Sequence, residues 1–188
     1  MRIIFKGKEK LTDKEHSEYI EYGDGKVAYM YSYGYVSDIC HGVKNHKESA
    51  IEEMAEFLCS QITEDCFLVP APQHTGKAEY TLKICEYIKE WSDYSIIILD
   101  VLSCTPRDTL YNLKKQMQNI NGIFSKEELE KISSGMFLKD DLKDIDLPIY
   151  FVDNVIATGT TLRNAQRLIP NIEPLVFAID YSKYKNYI

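Results

Sequence analysis

Ile149-Tyr150-Phe151-Val152-Asp153-Asn154-Val155-Ile156-Ala157-Thr158-Gly159-Thr160-Thr161-Leu162 runs from a short apolar stretch through an acidic residue into a turn of small residues and then a helix start. The opening run, Ile149 to Val152, is apolar at both parities, which is the pattern of a strand covered on both faces. Asp153 is expected at the end of that strand. Ala157, Thr158, Gly159, Thr160 and Thr161 are small enough for their backbone N–H groups to converge on one phosphate. The helix expected from about residue 161 to 169, closed by Pro170, adds unpaired donors and the positive end of its dipole. Thr158, Thr160 and Thr161 can add hydroxyl donors. A carboxylate at Asp153, beside that cup but not in it, can accept hydrogen bonds from sugar hydroxyls.

Outward from this segment the same two patterns alternate. Residues 66–69, 95–100 and 175–179 are further short apolar runs rich in branched side chains and are expected to be buried strands. Between them, residues 48–62 carry Ile51, Met54, Ala55, Leu58 and Cys59 on one helical stripe, and residues 77–91 carry Ala78, Leu82, Cys85 and Ile88. Alternating strands and helices predict an α/β fold with a parallel sheet, its ligands at the carboxyl ends of the strands. Residues 46–102 and 148–188 form the expected core of a single domain. Residues 103–147 are too long for a plain connection. Within them Ser125-Lys126-Glu127-Glu128 fits a capping box opening a helix to about Ile132, which Gly135 could end. Residues 1–45 look like a small N-terminal hairpin or cap, with Asp24-Gly25 as its turn. Together with the long connection they are expected to make a small hood over the sheet.

A chain of 188 residues is long enough for one core, burying roughly 70% of the surface its unfolded form exposes. Its 45% hydrophobic and 27% charged residues are the balance of a soluble globular protein. A formal charge of −7 gives no general attraction to polyanions, so nonspecific nucleic-acid coating is disfavoured and any phosphate contact must be local. Several of the 14 tyrosines cluster between Tyr19 and Tyr35, where they are expected to cover an apolar floor rather than stack on bases. Cys40, Cys59, Cys66, Cys85 and Cys104 are too widely spaced for a zinc knuckle and read as reduced thiols. The chain starts with no apolar stretch of signal-peptide length and nowhere carries a membrane-spanning run, so a cytoplasmic location without membrane contact is expected.

The 149–162 segment resembles the phosphoribosyl diphosphate (PRPP) signature of type I phosphoribosyltransferases: an apolar strand, two acidic residues, two apolar residues, then T-[TS]-G-x-[TS]. The departures are Asn154 in place of the second acid and Ala157 where threonine is common. Elsewhere in the chain, Tyr33-Gly34-Tyr35-Val36-Ser37-Asp38-Ile39 with Val43-Lys44 is similar to the opening of ComF-type phosphoribosyltransferase-like proteins. Val69-Pro70-Ala71-Pro72-Gln73-His74 resembles the V-P-x-P-x-H of that family. Arg107, Thr109, Leu110 and the stretch from Lys114 to Phe124 resemble its R…T…L…R-x-x-N-x-x-x-A-F segment. An N-terminal zinc ribbon, frequent in that family, is missing, and lysine stands where arginine is usual near Lys114 and Lys115.

The resemblance implies a phosphoribosyltransferase-type fold. It makes residues 157–161 the phosphate loop, Asp153 and Asn154 the catalytic pair, and His74, Thr75, Gly76, Lys77 and Arg107 the diphosphate-binding set. Chemistry agrees at Gly76, which lets backbone approach closely, and at Lys77, a point charge at an expected helix start. Residues 71–78 imitate G-x-x-x-x-G-K-[ST], but Ala71 and Ala78 replace the first glycine and the magnesium-binding hydroxyl, which argues against a nucleotide P-loop. Arg107, Lys114 and Lys115 are expected in a connection that folds over the site.

The activity implied is transfer of a phosphoribosyl group from PRPP to an amine or nucleobase with release of diphosphate, Mg2+ arriving with the substrate and no metal site of the protein's own. The partners are then PRPP or a nucleotide and an acceptor the sequence does not name. A homodimer is compatible with the sequence, and nucleic acid enters only indirectly. Asn154 brings no negative charge to an oxocarbenium-like transition state, which keeps open a noncatalytic PRPP or nucleotide sensor. A ComF-like accessory role in DNA uptake or processing is the third reading.

Overall fold

The computed structural model describes residues 17–21, 27–108, 135–142 and 145–180. In chain order the elements are β1 (Ser17–Glu21), β2 (Val27–Ser32), α1 (Tyr33–Lys44), α2 (Glu48–Cys59), β3 (Cys66–Pro70), α3 (Glu79–Trp91), β4 (Ile96–Ile98), β5 (Leu102–Cys104), β6 (Met136–Leu138), β7 (Ile149–Ile156), α4 (Thr160–Leu168) and β8 (Ile172–Ile179). The main sheet has the order β1-β2-β8-β7-β3-β4. All its neighbours from β2 to β4 pair in parallel, and β1 alone runs antiparallel at the edge. The expected α/β fold with a parallel sheet is therefore what the chain forms.

Two apolar layers hold the sheet. On one face Val36, Cys40 and Val43 of α1, Ile51, Met54 and Leu58 of α2, and Ile84, Cys85 and Ile88 of α3 pack against Leu68, Val152, Leu175 and Phe177. On the other face Leu162 and Ala165 of α4, with Leu102 of β5, pack against Val69, Phe151, Val176 and Ile179. A fully buried side chain such as Leu58 or Phe151 stabilises the fold by about 1.5–3 kcal/mol through its removal from water. Both faces of β7 and β8 are covered, which explains why their sequences lack a polar parity.

Several boundaries differ from those the sequence suggests. β7 continues past Val152 through Asp153 and Asn154 to Ile156, because the register with β8 carries on to Val155 opposite Ala178 and Ile156 opposite Ile179. α3 begins at Glu79 rather than Lys77, since Gly76 at φ 87 and Ala78 at φ −92, ψ 69 leave the helical path. The Tyr-rich segment forms a hairpin, and β2 joins the main sheet beside β8 and leads straight into α1. Tyr31 serves the apolar floor: its ring lies 4.4 Å from that of Phe57 and 5.1 Å from that of Phe177. In the antiparallel β5–β6 ribbon, β5 stands at the start of the long connection and β6 within its later part. The Asp24-Gly25 turn, Thr109, Leu110, Lys114, Lys115, the stretch to Phe124 and the capping box at Ser125 lie outside the described residues.

Candidate functional site

The topology itself singles out one crevice. β3 leads through α3 to β4 on its outer side, while β7, the other neighbour of β3, leads through α4 to β8 in the opposite direction. Between β3 and β7 the winding reverses, and in open parallel sheets the carboxyl edge at such a point is where ligands bind. Loop 71–78 leaves β3 there and loop 157–159 leaves β7. Pro72 of the first loop, Thr161 and Asn164 of α4, and Cys104, Arg107 and Met136 at the roots of the long connection surround a cavity of about 30 Å³. Two expected site residues, Arg107 and Thr161, thus line one crevice.

The turn after β7 is built to leave donors unused. Gly159 caps α4 with φ 71 and ψ 3, a left-handed conformation that glycine adopts without penalty. Having no side chain, it cannot bond the first helical amides. Among the described residues the backbone N–H groups of Thr158, Gly159, Thr161 and Leu162 meet no acceptor, and that of Thr160 has only a 3.4 Å contact with Thr158 Oγ1. Such donors at the start of a helix, together with its dipole, favour an anion. The hydroxyls of Thr158 and Thr160 share one hydrogen bond at 2.8 Å, so one O–H of the two remains to be donated. Arg163, one turn into α4, folds back over this segment, donating from Nη1 to the Thr158 carbonyl at 3.0 Å and from Nη2 to Thr160 Oγ1 at 3.3 Å.

Asp153 and Asn154 lie within β7, before that turn. Val152, before Asp153, and Val155, two residues beyond it, both belong to the α1–α3 layer, so the face alternation of the strand slips once between them. Lys44 and Cys40 of α1 and Tyr80 of α3 lie near enough to Asp153 to interact with its charge. Burial pushes the Asp153 carboxyl up to about 6, opposed by the hydrogen bond from the Asn154 amide at 2.8 Å and by the Lys44 charge. The same burial drives the Cys40 thiol up to about 12 and holds the Tyr80 hydroxyl far above its ordinary value, so both stay neutral. Asn154 is 3% exposed, and its Nδ2 meets no partner among the described residues. A buried amide donor left unpaired costs about 1–3 kcal/mol.

The loop after β3 is tied to β5 rather than to α3. Its amides close on itself, Gly76 N donating to Gln73 O and Gln73 N to Lys77 O, both at 2.9 Å. Its carbonyls are taken by the neighbouring strand: Ser103 Oγ donates to Gly76 O at 2.8 Å, Cys104 Sγ to Gln73 O at 3.0 Å, and the Arg107 amide to His74 O at 2.9 Å. Gly76 is required here, since a Cβ would lie 2.5 Å from the Cys104 carbonyl. His74, Thr75 and Lys77 are exposed, and Thr81 Oγ1 anchors α3 to Ala71 O beneath the loop. His74, Gly76 and Arg107 are therefore brought together through backbone, while among the described residues no hydrogen bond or ion pair of the Lys77 side chain joins it to them.

Sequence reasoning gave no site role to Arg163, Lys44 or Tyr80. Arg163 carried a signal, its position four residues after Gly159 and hence one turn above the glycine of the expected phosphate loop. Tyr80 carried none, and Lys44 entered only through the family-like Val43-Lys44 pattern without a site role, because only the packing of α1 and α3 brings them toward Asp153.

The chain is thus an α/β protein of five parallel strands with a turn of unpartnered amides, among the described residues, at its carboxyl edge. No protein-family model matches it, and no curated protein matches it. Among solved structures, it is similar to a hypoxanthine phosphoribosyltransferase from Staphylococcus aureus, at 16% identity and a TM-score of 0.40 over 72% of this chain. The chain spans 66% of the length of that protein.

Proposed function

We propose that this chain binds PRPP, or a nucleotide carrying a ribose 5-phosphate, and transfers the phosphoribosyl group to an amine or nucleobase with release of diphosphate. The observation that carries this is the run of unpartnered amides at Thr158, Gly159, Thr161 and Leu162, at the switch point of a parallel sheet and directly after a strand bearing Asp153. In this reading residues 157–161 hold the 5′-phosphate. Asp153, ionised above its raised pKa of about 6, accepts from the ribose hydroxyls and stabilises positive charge at the anomeric carbon. The bond from that carbon to diphosphate breaks with its electron pair leaving on the diphosphate, the acceptor nitrogen's lone pair forms the new bond, and the nitrogen's proton leaves to solvent or to the departing diphosphate. His74, Thr75, Gly76, Lys77 and Arg107 attend the departing diphosphate.

Among the described residues no three His, Cys, Asp or Glu side chains converge on a metal position. Asp153 is an oxygen donor of the kind Mg2+ prefers, and the Asn154 amide oxygen is a neutral one. Mg2+, carried in on the substrate, supplies charge neutralisation for the leaving diphosphate.

The second reading is a noncatalytic PRPP or nucleotide sensor, favoured by the neutral, buried Asn154. The narrower likeness to ComF-type proteins, with its accessory role in DNA uptake or processing, rests partly on residues outside the described ones. A single domain, a cytoplasmic location and a homodimer belong to the same proposal. Among the described residues no helix is long and apolar enough to cross a membrane.

The test is calorimetric titration with PRPP in the presence of magnesium, followed by diphosphate-release assays over a panel of amines and bases. Binding with release supports the transferase, and binding without release across the panel supports the sensor. Absence of binding by both PRPP and ribose 5-phosphate at millimolar concentration removes the proposal.

A further inference from the structure

Arg163 is half-buried, and among the described residues no carboxylate pairs with it. Its hydrogen bonds there are the backbone bond to Gly159 O within the helix start and the two guanidinium bonds to Thr158 O and Thr160 Oγ1. A guanidinium has five N–H donors, so three remain. A partly desolvated cation without a counter-ion is held at a cost that a neighbouring anion would remove. That cation is folded onto the same few residues whose amides lack acceptors. Arg167, the next arginine on α4, is different: it is exposed and its Nη1 donates to Asn164 Oδ1 at 3.2 Å.

We propose that Arg163 is the charge-bearing ligand of the phosphate turn, its spare N–H groups taking an oxygen of the bound group. This rests on the phosphate-binding reading of residues 157–161. Backbone amides and hydroxyls alone accept any small oxyanion, whereas a guanidinium beside them selects the doubly charged phosphate monoester over phosphodiesters and carboxylates.

The experiment is calorimetric titration of the full chain with ribose 5-phosphate, at low and moderate salt, for the wild type and for Arg163→Ala, Arg163→Lys and Arg167→Ala. Loss of a charge-assisted hydrogen bond predicts affinity about 10- to 100-fold weaker in Arg163→Ala, with a shallower salt dependence. Arg163→Lys, which keeps the charge but not the two-point grip on the turn, is expected within about fivefold of the wild type. Arg167→Ala is expected to bind as the wild type does. Undiminished affinity in Arg163→Ala, or a loss in Arg163→Lys as large as in Arg163→Ala, would overturn the assignment and leave Arg163 a strut of the turn. Should Arg163→Ala not fold, the lysine variant and the salt dependence decide the matter. A wild type that fails to bind ribose 5-phosphate refutes the phosphate reading itself, a result distinct from failure of Arg163 alone.

Discussion

Replacing Asp153 by asparagine is expected to make the protein more stable at neutral pH while abolishing the proposed transfer. The carboxyl is raised from 3.8 to about 6, chiefly by burial, so the native state holds this proton more tightly than the unfolded chain does. Stability from this group is complete below pH 3.8 and falls as pH rises through about 6, because the unfolded carboxyl ionises first. At 1.36 kcal/mol per pH unit, the span from 3.8 to about 6 corresponds to about 3 kcal/mol lost by pH 7.5. The residue retains some contact with water, which reduces that to about 2 kcal/mol. Asparagine keeps an oxygen for the Asn154 amide and never ionises. Asp153→Asn should therefore melt about 4–8 °C above the wild type at pH 7.5, and the gap should close as the pH is lowered toward 4. Thermal unfolding of both proteins across that pH range measures it. An equal gap at every pH, or a variant that melts lower at pH 7.5, refutes the reasoning about this carboxyl. Diphosphate release, in the proposed reaction, should be lost in the variant at every pH.

Gly76→Ala should destabilise the protein by at least about 1–2 kcal/mol for its positive φ alone, with a further steric cost from the Cys104 carbonyl; chemical denaturation would report it as a lower midpoint without a change in slope. Gly159→Ala places a side chain at φ 71 and should weaken ribose 5-phosphate binding about 5- to 30-fold, read by calorimetry, as about 1–2 kcal/mol of strain reshapes the turn. Asn154→Asp supplies a second acid and, in the proposed reaction, should raise turnover with PRPP; if neither affinity nor turnover changes, the role given to this position is wrong.

The sequence made the central strands visible because Cys66 to Pro70, Ile149 to Val152 and Leu175 to Ile179 are buried on both faces and so carry an uninterrupted apolar run. It concealed the second half of β7, since Asp153 and Asn154 look like a strand's end and only the pairing with β8 carries the backbone onward. α1 went unrecognised inside the Tyr- and Gly-rich segment, although Val36, Cys40 and Val43 sit at helical spacing. At the candidate site, the small residues from Ala157 to Thr161 announced a turn because their types are local requirements. The neighbours of Asp153 were illegible, because Lys44 and Tyr80 are 109 and 73 positions away and reach it only through helix packing.

The stitching of Ser103, Cys104 and Arg107 to the carbonyls of Gly76, Gln73 and His74 has a mechanical corollary. Two stretches some thirty positions apart in the chain are riveted into one plate, so neither can shift without dragging the other. A ligand that pulls on Arg107 would thereby reshape the backbone around His74, transmitting occupancy at one wall of the crevice to the other without either side chain touching.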